Sequence, residues 1–311
     1  MRTRKVKWKK IRRGLTYRLV VSLLWVLSRI PFNLRIRLIG LLAVLTYYLI
    51  PRERRRILAN LEAAYGDELS PRARRRIARS VFRNLGYSAC EVLQIPEGKP
   101  FWDRLRIEIS GEQYIERALK KGKGVVFVSA HAGNWELSGG WMARNGLGAG
   151  VVARRTREER FEPIIRRYRA AAGMQVHLKS LSMLGMVRSL RKNQTVVIMG
   201  DLDTKGEGVF APFFGRPAYT QTGPARLAQR TGAPILTGFT ARTGRLAHTI
   251  EIGPPIEVAN LGNDKDNWDQ IRSAVNEYTR RIEAWIRDHP DQWIWMHRRW
   301  KTRPPKPEGG K

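Results

Sequence analysis

The chain has 311 residues, enough for one large domain with an appendage, and its 42% apolar content supports a substantial core. Its 58 Lys+Arg stand against 27 Asp+Glu, a formal net charge of +31, so the expected partners are polyanions: nucleic acid, an anionic membrane surface or phosphorylated substrates. The single cysteine, Cys90, excludes an internal disulfide framework and a multi-cysteine zinc site, and reads as a small apolar filler in a reducing compartment.

The first 13 residues, MRTRKVKWKKIRR, carry eight basic side chains, and an apolar stretch follows at 19–28. No small-residue cleavage site closes that stretch; Arg29, Ile30 and Pro31 follow instead, unlike a secretory signal. A second apolar stretch at 38–51 is flanked by Arg35, Arg37 and the basic cluster 52–56. Neither reaches the ~18 uncharged residues of a spanning helix. Residues 1–50 are therefore expected to be membrane-embedded or interfacial, with basic flanks on the cytoplasmic side. Each basic side chain near an anionic leaflet adds about 1 kcal/mol. The bland alternative is a buried helical hairpin with a solvated basic tail.

Residues 51–100 read as helical. Ser70 is an N-cap with Pro71 at the first helical position, and Ala73, Ile77, Val81 and Leu85 recur at helical spacing. Arg72, Arg75, Arg76 and Arg79 fall mostly elsewhere on the wheel, on a face either solvated or laid against phospholipid headgroups. Pro96, Gly98 and Pro100 break the pattern.

From 101 to 303 short β-rich runs (107–109, 125–129, 151–153, 195–199, 235–239 and 249–252) alternate with helical candidates (160–172, 182–191, 224–230 and 268–289). This alternation predicts an α/β domain with a mostly parallel central sheet flanked by helices. Residues 304–311 read as a disordered tail. Ligands of such sheets sit beyond the carboxyl ends of the strands. His131 lies just past the 125–129 run and Asp201 just past 195–199, two ionisable groups at one sheet edge.

The stretch VVFVSAHAGNWELSG places Glu136 five residues after His131. On a continuous helix that spacing separates two side chains by about 140°, so it suits a strand–turn–helix junction instead. Gly133 lets the backbone bend, Asn134 caps, and Glu136 lies in the first helical turn. Glu136 is then expected to fold back onto one imidazole nitrogen, leaving the other to face the cleft as a base. No serine lies in a G-x-S-x-G elbow, so the nucleophile is expected to come from the substrate.

In MGDLDTKGEGVFAPFFGRPAYTQTGPARLA, Asp201 and Asp203 precede a Gly-rich loop, and Phe213, Phe214 and Gly215 present an apolar surface ending in a turn. Phe213 and Phe214 are read equally as acyl-chain contacts or as core. Arg154, at the end of the 151–153 run, is a candidate phosphate clamp; Arg155 reads as surface. In HPDQWIWMHRRWKTRPP, Trp293, Trp295 and Trp300 interleave with Arg298, Arg299 and Lys301, as in an interfacial anchor, a base-stacking surface or a C-terminal core strand.

Together HAGNWEL, the DLD…G…F-PFFG-PA-T block and the terminal PDQW-W-HRRWKTRP resemble the late lipid A acyltransferases, the lauroyl/myristoyl transferases of the bacterial lysophospholipid acyltransferase superfamily. The likeness covers nearly the whole chain after about residue 15. It implies a glycerolipid-acyltransferase-like α/β fold and an enzyme at the cytoplasmic face of the bacterial inner membrane, with an N-terminal membrane helix. It also implies acyl transfer from acyl carrier protein to a hydroxyl of a lipid A precursor, with no cofactor or metal. By motif, His131 is implied as general base with Glu136 as its partner. Arg154 is implied to help bind a phosphate or the donor and Asp201 to shape the site; with them, Asp203, Gly133, Asn134, Phe213, Phe214 and Gly215 are the substrate-binding candidates. A related branch acylates mannosylated phosphatidylinositol, usually with Asp at the position of Glu136, so Glu136 favours the lipid A branch.

Two rival readings are weighed. A metal-dependent phosphoesterase would use Asp201, Asp203, His131 and Glu136 as ligands to a hard cation, but leaves the apolar N-terminus unused. A nucleic-acid-binding protein matches the charge, but no helix-turn-helix, zinc finger or aromatic RNA-binding motif supports it, so nucleic acid is not an expected partner.

Overall fold

The computed structural model describes residues 14–15, 17–19, 21–23, 25–147, 150–153, 159–178, 182–203, 206–259 and 267–305. Before the α/β body come α1 (Phe32–Leu49), α2 (Pro51–Tyr65) and α3 (Pro71–Val92), the last capped by the Ser70 hydroxyl on the Ala73 amide as its sequence predicts. A short turn, Lys99–Trp102, leads into the α/β body.

The body then runs β1 (Arg106–Ser110), α4 (Glu112–Lys120), β2 (Val125–Ser129), α5 (Trp135–Arg144), β3 (Gly150–Ala153), α6 (Glu162–Ala171), β4 (Gln175–Leu178), α7 (Ser182–Arg191) and β5 (Thr195–Met199). The hairpin β6 (Gly208–Phe213) and β7 (Arg216–Gln221), α8 (Gly223–Thr231), β8 (Ile235–Gly244), β9 (Ala247–Ile252) and α9 (Trp268–Asp288) follow. Seven strands form one sheet in the order β1-β9-β8-β2-β5-β3-β4. Every neighbouring pair is parallel except β8 with β9, as the alternating pattern predicts.

The central strands β2 and β5 are buried on both faces. Val126, Val128, Val196 and Ile198 enter one core cluster, and Val125, Phe127 and Val197 enter the other. Double burial explains why these strands read as continuous apolar runs rather than alternating ones. On the neighbouring β8, a Cβ at Gly238 would stand 2.1 Å from the Phe127 ring, so that position admits only glycine.

Three elements depart from the expectation. The β4 segment QVHL is too short and too polar to stand out as a strand. The Gly-rich loop before PFFG is half of a β-hairpin, disguised by Pro212 and Pro217, which face each other across its two strands. Phe214 (φ 51°) and Gly215 (φ 66°) form its two-residue turn, both in the left-handed region. The C-terminal WIWMHRRW segment forms no strand among the described residues. It packs by side chains instead, with Trp293 and Trp295 fully buried, and touches the sheet edge through a single bridge from Trp293 to Ala132. Trp293 and Trp295, being buried, offer no face to a nucleobase, and Trp300 packs on Phe213, so the stacking surface that segment suggested is not formed by Trp293 and Trp295.

Candidate active site

Parallel pairing of β2 with β5 puts Ser129 opposite Met199. Two residues further on, the same register sets His131 beside Asp201. Asp201 is fully buried at its side chain and accepts three hydrogen bonds. They come from the His131 backbone N–H (3.0 Å), His131 Nδ1 (2.9 Å) and the indole Nε1–H of Trp293 (2.8 Å). Three donors on one buried carboxylate keep it ionised despite desolvation. Burial works against the charge, but the imidazole, the indole and the backbone N–H outweigh it and hold Asp201 below the usual carboxylate range.

With Nδ1 committed to Asp201, the ring is locked in orientation. Its Nε2 takes no protein partner among the described residues, and the side chain keeps 24% of its surface exposed. Desolvation pulls the His131 pKa down; the Asp201 charge and hydrogen bond, with the Glu136 charge behind them, more than reverse this and raise it above the ordinary histidine value. Trp135 covers the ring edge-on at 5.4 Å between centroids.

The carboxylate on His131 is thus Asp201, not Glu136. Glu136 sits in the first turn of α5, whose axis carries its side chain toward α6, where both its oxygens meet Arg169: Oε2 accepts from Nε at 3.0 Å and Oε1 from Nη2. It acts on His131 only through its charge. Glu136 and Arg169 lie at one wall of a cavity of about 230 Å³ whose other lining residues are Val92, Ile95, Ile165, Tyr168 and Met174.

The turn between β2 and α5 is rigidly braced. Gly133 has φ 56°, and a Cβ there would stand 1.9 Å from the Thr240 carbonyl oxygen, so the backbone approach requires glycine. Its N–H donates to the Gln292 carbonyl at 2.8 Å and its carbonyl accepts from Ser88 Oγ at 3.2 Å, so neither group is free for a ligand. Asn134 is buried; its Oδ1 accepts from the Leu137 N–H to cap α5. Its Nδ2 donates to Glu91 Oε2 at 2.8 Å.

Glu91, fully buried on α3, also binds Arg242 (Nη2 to Oε2, 2.8 Å, with Nη1 on Oε1) and His248 (Nε2 to Oε2, 3.2 Å). Burial alone would raise its pKa, but His248 and Arg242 hold it at about 2. Removing one partner of a buried pair strands the other. Glu91→Gln is therefore expected to destabilise the protein by about 3–5 kcal/mol at neutral pH, read as a lowered urea midpoint in detergent. An unchanged midpoint would show that the network does not brace the fold.

The remaining sequence candidates are placed less centrally. Asp203 accepts from Thr302 N (2.6 Å) and Thr302 Oγ1 (3.0 Å), and its own N–H donates to His297 Nε2 (3.0 Å), so it pins the C-terminal segment. Phe213 and Phe214 are buried, and Phe213 packs on Trp293, Trp300 and the guanidinium of Arg299 at 4.9 Å. Their role here is core packing. Gly215 serves the hairpin turn. Arg154 and Arg155 lie outside the described residues. Glu136 on Arg169 and Asp203 on Thr302 leave the four proposed metal ligands unconverged, and among the described residues no three His, Cys, Asp or Glu side chains group to hold an ion.

Four residues have a place at the site that the sequence did not assign them. Trp293 shares the Asp201 carboxylate, Arg169 takes Glu136, Glu91 secures the turn, and Arg299 binds the Tyr219 carbonyl (2.7 Å) and Thr220 Oγ1 (2.6 Å) beneath the site. The sequence signal for Asp201 as ring partner was present: two five-residue apolar runs, each followed at the same offset by an ionisable residue.

A family model described as bacterial lipid A biosynthesis acyltransferase matches residues 1–302. The chain is 25% identical to the lipid A biosynthesis lauroyltransferase of Escherichia coli (strain K12), over 91% of this chain and 90% of that one. It is 26% identical to the palmitoleoyltransferase of the same organism, over 91% and 90%. It is also 26% identical to a phosphatidylinositol mannoside acyltransferase of Mycobacterium tuberculosis (strain CDC 1551 / Oshkosh), over 62% of this chain; that match spans only 59% of the mycobacterial protein's length.

Proposed function

The chain belongs to the bacterial lipid A biosynthesis acyltransferase family, and from that premise we propose that it is a membrane-bound O-acyltransferase with His131 as general base. In this reading it moves a fatty acyl chain from acyl carrier protein to a hydroxyl of a lipid A precursor at the cytoplasmic face of the inner membrane. The observation that carries the reading is the imidazole itself: Nδ1 is tied to a buried carboxylate, the side chain is partly exposed, and Nε2 makes no hydrogen bond to a protein hydroxyl or thiol among the described residues. Cys90 is buried elsewhere. The attacking oxygen therefore comes from the acceptor.

His131 Nε2 takes the proton of the acceptor hydroxyl as its oxygen attacks the thioester carbonyl carbon. Asp201 stabilises the imidazolium so formed. The tetrahedral oxyanion is met by amides of the first turn of α5, Trp135 and Glu136, since the Gly133 amide is already engaged. The C–S bond then breaks, the imidazolium returns its proton to the leaving thiolate, and an ester and a free thiol remain. The apolar cavity beside Glu136 and Arg169 suits part of the acyl chain. The net charge of +31 favours both an acidic carrier protein and anionic lipid. The mycobacterial relative supports a second acceptor, a phosphatidylinositol mannoside.

The test is to incubate the purified full chain with acyl carrier protein thioester and either glycolipid, and to weigh the lipid products by mass spectrometry. One added acyl chain on the lipid A precursor is the expected result, and addition to the mannoside alone would reassign the acceptor. Transfer to neither, or release of phosphate, would overturn the reading.

A further inference from the structure

Of the sixteen large apolar side chains exposed among the described residues, thirteen lie between Leu15 and Ile50. On α1 they form a stripe, Leu34, Leu38, Leu41, Leu45 and Leu49, at helical spacing. By length and composition α1 is long and apolar enough to cross a bilayer. Its packing favours a different arrangement.

The helix lies antiparallel against α3 along most of its length. Ile36 and Ile39 pack with Cys90, Gly40 meets the Tyr87 ring, Ala43 meets Gly86, and Tyr47 meets Phe82 at 6.0 Å. The opposite side of α3 is fastened to the polar body: Ser88 bonds Gly133, and Asn84 Nδ2 bonds the Asp291 carbonyl at 2.9 Å. Near its other end, Ile36 and Arg37 of α1 border Arg242 and Arg245 at the end of β8. A helix spanning ~30 Å of hydrocarbon needs apolar surroundings over that depth. Here α1 would have to draw the charged body into the lipid with it.

A groove of about 560 Å³ opens at the C-terminal end of α1. Tyr47, Tyr48, Ser70, Ala73 and the arginines Arg72, Arg75, Arg76 and Arg79 line it, with no carboxylate in the wall. The four arginines are exposed and form no ion pair among the described residues. Nine residues of α3, about 14 Å at helical rise, separate Arg79 from Ser88 at the catalytic turn, so the groove is distinct from the active site.

We propose that α1 lies flat in the surface of an anionic membrane, its leucine stripe in the acyl boundary, and that the adjoining arginine groove seats the phosphate of an anionic phospholipid headgroup. Charge complementarity and the continuity of groove with leucine stripe select this occupant. Tyr48, exposed at this end of α1, is of the residue type that favours such an interface. The inference deepens the membrane-bound reading above and rests on it for its partner, but it is tested without catalysis.

Flotation of the purified full chain measures binding to phosphatidylcholine vesicles with and without phosphatidylglycerol. Replacing Arg72, Arg75, Arg76 and Arg79 together by Gln is expected to cut the preference for anionic vesicles roughly 10²–10³-fold, at ~1 kcal/mol per headgroup contact. His131→Ala is expected to bind vesicles as the parent does, so failed catalysis and failed docking are separable. Retained preference in the four-arginine variant overturns the site, as does a loss of affinity for acidic acyl carrier protein in its place. The lie of α1 is read from spin labels at positions 34, 38, 41, 45 and 49 in a Cys90→Ser background. A common shallow depth is expected. A profile deepest at 41 and rising toward both ends would mean that α1 spans, and would overturn the flat arrangement.

Discussion

His131→Ala is expected to lower acyl transfer by about 10²–10⁴-fold, the range over which a positioned general base contributes, with little change in the denaturation midpoint. The ring combines a fixed orientation, set by Asp201, with an Nε2 that takes no protein partner among the described residues. Without it the acceptor hydroxyl must lose its proton to water, so the loss should fall on kcat more than on KM. Alanine also leaves the buried Asp201 with two donors, the backbone N–H of residue 131 and the Trp293 indole, and a lowered midpoint would report that loss as a folding cost. His131→Gln separates the two effects, because its amide can still donate toward Asp201 while offering no base. Both variants should bind the carrier-protein thioester and fail to turn it over. Initial rates within tenfold of the parent in a folded variant would remove His131 from the chemistry.

The sheet and its order of elements were legible because β2 and β5 bury both faces and so read as unbroken apolar runs. The two residues of the proposed catalytic pair, His131 and Asp201, were legible for the same reason: each follows one of those runs at the same offset, and parallel strands carry equal offsets to neighbouring positions. The partnership between them was not. Glu136 is near His131 in sequence, and proximity along the chain favours it until the direction of α5 is known. That direction is set by the Gly133 bend and by the Asn134 cap, which Glu91 holds from a helix 43 residues earlier. Long-range anchors of this kind leave no local pattern. The same holds for Trp293, whose indole meets Asp201 from 92 residues away, for Phe213, which packs on Trp293 and Trp300, and for Phe214, which packs on Tyr65 and Trp295. For the N-terminal helices, hydropathy reports apolar length but not the face that α3 covers.

Asp201→Asn is the variant in which orientation and charge are lost together, and two effects of opposite appearance should follow. The amide presents either a donor or an acceptor to Nδ1. If its Nδ2 faces the ring, Nδ1 must accept, the proton moves to Nε2, and the base is blocked; the equivalent exchange in the serine protease triad costs ~10⁴ in kcat. A loss of roughly 10³–10⁴ is expected here at the optimum. The pH profile should move as well. In the parent enzyme burial lowers the His131 pKa, but Asp201 outweighs it, so the acid limb of kcat, where His131 becomes neutral, stands above the ordinary histidine value of ~6.5. Without the carboxylate charge that limb should shift to lower pH, even as the plateau falls. Stability follows the same signs. The raised His131 contributes fully below ~6.5 and loses its contribution as pH rises through its folded value, and the depressed Asp201 contributes above ~3.9 and loses it as pH falls. The pair therefore stabilises most between those limits, and the variant should lose most stability there. A plateau that falls while the acid limb stays in place would mean that another group sets the titration and that Asp201 serves only to pack the turn.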